Sequence, residues 1–375
     1  MQYCMPYPRE YLAATQHHNV VTIRASNDYH AGRDQWMISK QSILAHATGV
    51  LPFKDTFNTN RAVEAGGADA SAEINNDLQT LVATLSASIV APGDGLNYLN
   101  MTALMQCCRS DGVVLKADRP AVPLESQWTT ASPGGEVGFT SATVGNRAFC
   151  FRSTAVAVAL RPWFCCCFVL GGCGHARHSK VTVAGISRGP VTDMVPSRHA
   201  SRAMPSLLRV LTACFTRGLL STSACLGTTS YLMSASASAY SVTPDELMVD
   251  PAAAEYAQVD YATRKAGAFG PSNPIVIPKQ IITRSGYVKW LLAIVAPVVD
   301  GWAVFGDLTK FVGASSKRLA GTVPGASPNT VVVTAVGADR EKLECCAWSK
   351  QQGLICKTGI AKQNGATATA TFAFP

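Results

Sequence analysis

The chain has 375 residues, with 32 Lys+Arg against 24 Asp+Glu, 47% hydrophobic residues and 15% charged ones. That length holds one large domain or two ordinary ones, and so low a charged fraction excludes a disordered, highly charged tail protein. The longest apolar stretch, 154–172, is cut by Arg161 and Pro162, so no membrane-spanning helix is expected.

Residues 1–112 read as strands alternating with helices. A short strand is expected at 2–5 and a helix at 9–15. Val20 to Ala25 is β-branched and apolar, the pattern of a buried strand. A helix is expected over 35–48, ended by Gly49, and a strand over 50–53. Leu78, Leu81, Val82 and Leu85 follow the i, i+3, i+4, i+7 spacing of one apolar helix face. A fourth strand is expected at 88–90, before the turn residues Pro92-Gly93-Asp94-Gly95. Met101, Leu104, Met105 and Cys108 repeat the helical spacing, with Asn100 as N-cap and Cys107-Cys108 on the helix. Four successive βα units predict parallel strands with helices outside. Such units fill half of an eight-fold (β/α)8 barrel, which takes about 250 residues when whole.

From Val113 onward short β runs alternate with Gly, Pro and Ser turns, the texture of an antiparallel β-sandwich. Strands are expected at 136–141, 229–237, 287–295, 330–336, 344–349, 354–359 and 367–374, and 266–278 reads as a Gly/Pro-rich connection. The expected fold class is therefore α/β plus β. A partial barrel spans 1–112, and the sandwich spans 113–149 and 230–375.

The segment 150–229 interrupts the sandwich and is compositionally foreign to it. It holds nine basic residues and one acid, Asp193, which is the entire positive excess of the chain, and seven of the 13 Cys. It lacks interleaved aromatics or a known binding motif, so no nucleic-acid surface is expected. Clumped cysteines, odd in number, do not make a disulfide framework. We read 150–229 as an inserted segment of the kind a retained intron would encode, with poor order and no active-site role.

The strongest chemical signal is Arg24-Ala25-Ser26-Asn27-Asp28-Tyr29, placed where a barrel strand ends. In barrel enzymes that mouth carries the catalytic groups. Arg presents a planar fork of donors suited to vicinal hydroxyls, and a carboxyl group there can act as general acid or base. An Arg and an Asp four residues apart are equally compatible with a structural ion pair.

Further segments follow in order. Cys4-Met5 precedes the Arg24 segment, and Pro52-Phe53-Lys54-Asp55-Thr56-Phe57 and Ala91-Pro92-Gly93-Asp94 come after it. The stretch from Cys108-Arg109-Ser110-Asp111-Gly112 to Lys116 and the segment Arg119-Pro120-Ala121-Val122-Pro123-Leu124 complete the series. This order resembles the second half of the raffinose synthase and alkaline α-galactosidase (seed imbibition protein) family of glycoside hydrolases. That family carries a Cys-Met, an Arg-Ala-Ser-Asp-Asp-Phe, a Pro-Asp-Trp-Asp-Met-Phe and a Ser-Asp-Lys-Pro-Gly segment in the same sequence. The likeness covers about residues 1–128, with a looser one at Trp302-Ala303-Val304-Phe305-Gly306.

The resemblance implies a retaining glycosidase or transglycosylase acting on α-galactosides of the raffinose type. It places the general acid/base on Asp28, the sugar-hydroxyl contact on Arg24, and Cys4 in the substrate pocket. Asp55 and Asp94 stand at positions that contact sugar. No cofactor or metal is implied, and the partner is an oligosaccharide. Asn27 replaces a family Asp, Phe53-Lys54 replaces Asp-Trp, and Gly95 stands where the family has Lys. Retention needs two carboxyls about 5–5.5 Å apart. The family's nucleophilic Asp follows a fourth barrel strand that would precede Cys4, so we expect an incomplete glycosidase with an acid/base and no nucleophile. The opening Met1-Gln2-Tyr3-Cys4-Met5-Pro6 has no basic start or long apolar run. We therefore expect no signal peptide and a cytoplasmic setting.

Two other readings stay open. One is a non-catalytic carbohydrate-binding or structural remnant. The other is a Cys-rich basic protein holding a metal through Cys165-Cys166-Cys167, Cys173, His175 and His178, although three adjacent thiols converge poorly on one tetrahedral ion. Gly185-Ile186-Ser187-Arg188-Gly189 matches a nucleophile elbow. The last His in the chain, His199, follows Ser187 too closely for a conventional triad. Cys345, Cys346 and Cys356 are expected as buried thiols on sandwich strands.

Overall fold

Three short parallel strands begin the chain: β1 (Gln2–Tyr3), β2 (Thr22–Arg24) and β3 (Leu51–Phe53), in that spatial order. Helix α1 (Pro8–Ala14) joins the first two and α2 (Ser39–Ala47) the next two. The structure is a computed structural model. It describes residues 2–4, 6–31, 39–62, 72–124, 137–143, 228–234, 240–247, 253, 255–277 and 289–375. Of the foreign segment 150–229, residues 150–227 therefore lie outside the described residues, with its Cys/His cluster and Ser187, while 228–229 open a strand (Thr228–Ser234). Residues 35–38 of the expected second helix also lie outside them.

Local chemistry explains these elements. Pro8 opens α1, where its missing N–H costs nothing, and the Glu10 carboxylate accepts the Tyr7 amide at 2.8 Å. Gly49 follows α2 with φ +78°, a left-handed position that suits glycine and turns the chain into β3. Tyr11 and Ala14 from α1, Ala45 from α2, and Val20, Ile23 and Val50 beside or on the strands make a small core.

Helix α3 (Asn76–Leu85) carries the predicted apolar face, and Leu78, Leu81 and Leu85 are fully buried. Its polar face is buried as well. Thr80 and Thr84 satisfy their hydroxyls on the carbonyls one turn back, at 2.8 and 2.7 Å. The fourth parallel strand expected at 88–90 is absent. Its place is taken by one parallel bridge, Phe57 to Pro92, beside an amide bond from Phe57 to Ala91 O of 3.3 Å. Pro92 cannot donate to a ladder, and Gly93 packs so tightly on Thr56 that a Cβ would lie 2.2 Å from its hydroxyl oxygen. Helix α4 (Met101–Leu104) keeps the expected cap, with the Asn100 side chain accepting the Ala103 amide at 3.2 Å. It is one turn long, so Cys107 and Cys108 lie past its end, and Cys108 pairs with Val114.

The remainder is β. Strands β4 (Val122–Pro123), β5 (Val137–Thr143), β6 (Thr228–Ser234), β7 (Tyr240–Val242), β8 (Tyr256–Asp260), β9 (Ala266–Phe269) and β10 (Ile275–Ile277) come first. They are followed by β11 (Leu291–Val299), β12 (Trp302–Gly306), β13 (Leu319–Pro324), β14 (Val331–Gly337), β15 (Lys342–Ser349), β16 (Gly353–Ile360), β17 (Lys362–Asn364) and β18 (Thr367–Phe374). A nine-stranded antiparallel sheet runs β16-β15-β12-β11-β6-β5-β4, with β8 and then β9 joined to β11. A four-stranded sheet, β13-β14-β18-β17, is the second layer. The stretch expected as a connection, 266–278, instead supplies β9 and β10.

Strand β11 is buried on both faces, as its unbroken apolar run requires. Leu292, Ile294 and Ala296 meet β14 and β18 residues such as Val333 and Phe372 in the large core between the sheets. Ala293 and Val295 meet Leu232, Val242, Tyr256 and Ile277 on the other side. Ala25, Leu78, Leu81 and Leu85 belong to the large core, so all described residues form one compact unit. The architecture is thus a mostly β chain with few helices and a β-rich antiparallel body, with a small parallel βα element at its start.

Candidate functional site

The parallel register sets the site. Tyr3 pairs with Ile23 and Arg24 with Phe53, so Cys4, the Arg24–Asp28 segment and Lys54-Asp55 emerge together at the carboxyl ends of adjacent strands. The Ala25 amide bonds Phe53 O at 2.9 Å and the Asp55 amide bonds Ser26 Oγ at 2.8 Å, which ties the two exits together.

Arg24 is buried and divides its fork between two carboxylates. Its Nη2 lies 2.6 Å from Asp28 Oδ1 and its Nη1 3.0 Å from Asp55 Oδ2. The Asp28 side chain is 60% exposed, whereas that of Asp55 is 21% exposed and also accepts the Tyr29 amide at 2.9 Å. Burial opposes the Arg24 charge, but Asp28, Asp55 and the nearby Cys4 outweigh it and hold its pKa above the ordinary value. Arg24 Nε is buried without a partner among the described residues.

Beneath this rim lies a polar cluster that the sequence reading did not assign. The Tyr29 hydroxyl donates to Glu73 Oε2 at 3.0 Å and accepts the Asn58 amide at 3.2 Å. Glu73, fully buried, also accepts from the Asn75 amide at 2.7 Å and Gln79 Nε2 at 3.3 Å. Lys54, fully buried too, sets its ammonium 5.2 Å from the Tyr29 ring centre and 5.3 Å from that of Phe57, and 3.4 Å from Asp55 O. Desolvation brings Lys54 down to about 7, with Glu73 and Asp55 opposing the drop. Burial, reinforced by Glu73, pushes the Tyr29 hydroxyl well above its usual range. A Lys directly after a strand reads as a solvated terminus, so only the strand's burial could have marked Lys54.

Of the five candidate residues, Arg24, Asp28 and Asp55 are in direct contact and Cys4 is within electrostatic reach of Arg24. Asp94 stands apart. It accepts the Thr59 amide at 2.9 Å, the Thr59 hydroxyl at 2.8 Å and the Asn60 amide at 2.9 Å, and so holds the 59–60 turn.

Among the described residues, one group has metal-binding spacing. Donor atoms of Glu344, Cys346 and Cys356 lie within 4.8 Å of one another. The two sulfurs are joined as a disulfide, so they are not thiolate ligands and two of the thiols expected here are not free. Cys345 remains a buried free thiol. Among the described residues no helix is long and apolar enough to cross a membrane. No protein-family model matches the chain and no curated protein matches it.

Proposed function

We propose that the chain is a carbohydrate-binding relative of the α-galactosidase and raffinose synthase enzymes, with its sugar site at the carboxyl ends of β1, β2 and β3. The observation that carries this reading is the meeting of Asp28, from the Arg24 segment itself, and Asp55, from the next segment of the series, on the Arg24 guanidinium at one rim. Parallel strands with helices between them support reading this element as an arc of a (β/α)8 barrel. In this reading Asp28, the exposed carboxyl, faces the sugar and is the group able to protonate a leaving oxygen. Arg24 positions Asp28, since both its terminal nitrogens are engaged, rather than gripping hydroxyls itself. The chemistry, where it runs, is transfer of an α-galactosyl unit to water or a sugar with retention.

A retaining mechanism also needs a nucleophile. The one carboxylate that Arg24 brings beside Asp28 is Asp55, and the Tyr29 amide and Arg24 already hold it. We therefore expect sugar binding without turnover. Calorimetric titration with raffinose tests this reading, and the expectation is binding that weakens at least tenfold in Asp28→Asn. Absence of binding by the wild-type chain would overturn it. Hydrolysis of nitrophenyl α-galactoside that depends on both Asp28 and Asp55 would replace it with a complete enzyme.

The non-catalytic reading as a purely structural remnant is favoured by one observation. Asp94 and Arg24 both spend their polar atoms inside the protein.

A further inference from the structure

The Cys346–Cys356 disulfide joins residues directly opposed on β15 and β16, and its two ends differ sharply. Cys346 is fully buried, whereas Cys356 is exposed. Arg264, in the turn after β8, reaches across to the buried end. Its Nη1 lies 3.9 Å from Cys346 Sγ and 2.9 Å from Glu344 Oε1, and its Nη2 bonds Leu308 O at 2.7 Å. The guanidinium is thereby fixed beside one sulfur of the bridge. From geometry alone, attack is possible at one sulfur and negative charge is best accommodated at the other.

We propose that this bridge is a thiol-exchange site for low-molecular-weight thiols, with the adduct on Cys356 and Cys346 as the leaving thiolate. The incoming thiol loses its proton to solvent, and its sulfur attacks Cys356 Sγ. A new disulfide forms to Cys356 while the Cys346–Cys356 bond breaks, and the electron pair of that bond remains on Cys346 Sγ as a thiolate facing Arg264. One disulfide is consumed and one is made, so no oxidant or reductant is required. Exchange is faster when the attacked sulfur is accessible and the leaving thiolate is stabilised, and both conditions hold in this direction. Glu344 acts against the step, because its carboxylate shares Arg264 with the leaving sulfur. Cys345, the neighbouring position on β15, is a fully buried free thiol on the other face of the strand by its alternation, and it takes no part.

The experiment uses the folded full chain and 2-mercaptoethanol, an uncharged thiol that the local charges do not steer. Rapid alkylation and peptide mass mapping then locate the adduct. The expected result is the mercaptoethanol adduct on Cys356 and the alkyl group on Cys346. Arg264→Gln should slow exchange about threefold or more, because the departing Cys346 thiolate loses the cation beside it. Glu344→Gln should accelerate it, which keeps the test decisive if the Arg264 variant fails to fold. An adduct on Cys346 would overturn the proposal. So would a bridge that exchanges only after denaturation, or rates indifferent to both substitutions in folded protein.

Discussion

The parallel start of the chain and its antiparallel body solve the burial of charge in different ways. In the first, strands of two or three residues support a small core, and the buried Lys54 and Glu73 sit under an open rim where Asp28 meets solvent. In the second, strands of up to nine residues enclose a large core, and the buried charges close on one another. Arg318, fully buried, lies 3.1 Å from Asp307 Oδ2 and 2.8 Å from Glu341 Oε1, and it also bonds Val336 O at 3.1 Å. Its contact to Asp307 has the distance of an ion pair without hydrogen-bond alignment, since Arg318 Nε and Asp307 Oδ2 lack hydrogen-bond partners. Burial raises the Asp307 pKa, while Arg318 and backbone amides hold Glu341 below its ordinary value despite its desolvation. The contrast separates charge used as internal scaffolding from charge held at an accessible rim.

Removing the scaffold should have the largest effect. Arg318→Met strands two buried carboxylates and should cost about 3–5 kcal/mol in urea unfolding, a large share of a typical domain's stability. A loss under about 1 kcal/mol would mean that the cluster is solvated.

Leu81→Ala tests whether α3 truly belongs to the body. It should cost about 2–5 kcal/mol and lower the single cooperative transition as a whole. A separate early transition would divide the two regions thermodynamically.

Removing the hairpin bridge by Cys346→Ala with Cys356→Ala should cost about 2–3 kcal/mol for a loop whose ends are 10 residues apart. Thermal unfolding with and without a reductant checks the same quantity.

Lys54 sharpens the comparison through pH. Its folded value of about 7 lies below the usual 10.5, so between these values the unfolded chain binds the extra proton. The burial penalty is complete below about pH 7 and is relieved as pH rises toward 10.5. Stability should therefore increase across that window by at most about 1.4 kcal/mol per pH unit from this group. Lys54→Met should flatten the rise in a pH series of urea midpoints, and an unchanged slope would show that Lys54 titrates normally.

The smallest effect concerns local structure. Asn100→Ala removes the cap of a one-turn helix and should cost about 1 kcal/mol.

What could be read from the residues follows the physics of each region. The spacing of Leu78, Leu81, Val82 and Leu85 marks α3 because an apolar stripe of that length has one regular solution. The hairpin strands β15 and β16 are visible in their β-branched and apolar runs. Centring their turn on Gln351 already opposes Cys346 to Cys356, yet clumped thiols obscure that pairing. Strands β9 and β10 hide behind Gly267, Gly270, Pro271 and Pro274, because short edge strands tolerate turn residues at their ends. The link from Arg24 to Asp55 follows from parallel strands, whereas Glu73 reaches Tyr29 only through the packing of α3. Lys54 also carries no local signal, since its desolvated setting against the Tyr29 and Phe57 rings, with Glu73 near enough to favour its charge, is assembled from distant segments.

The central claim is that the carboxyl ends of the parallel strands form a sugar site around Asp28. A crystal of the chain soaked with galactose measures this directly. The account predicts a pyranose with a hydroxyl or its anomeric oxygen within hydrogen-bond reach of the Asp28 carboxyl, above the Arg24–Asp55 pair. A saturated crystal with no sugar at that rim, or with sugar bound only on the antiparallel β body, would contradict it.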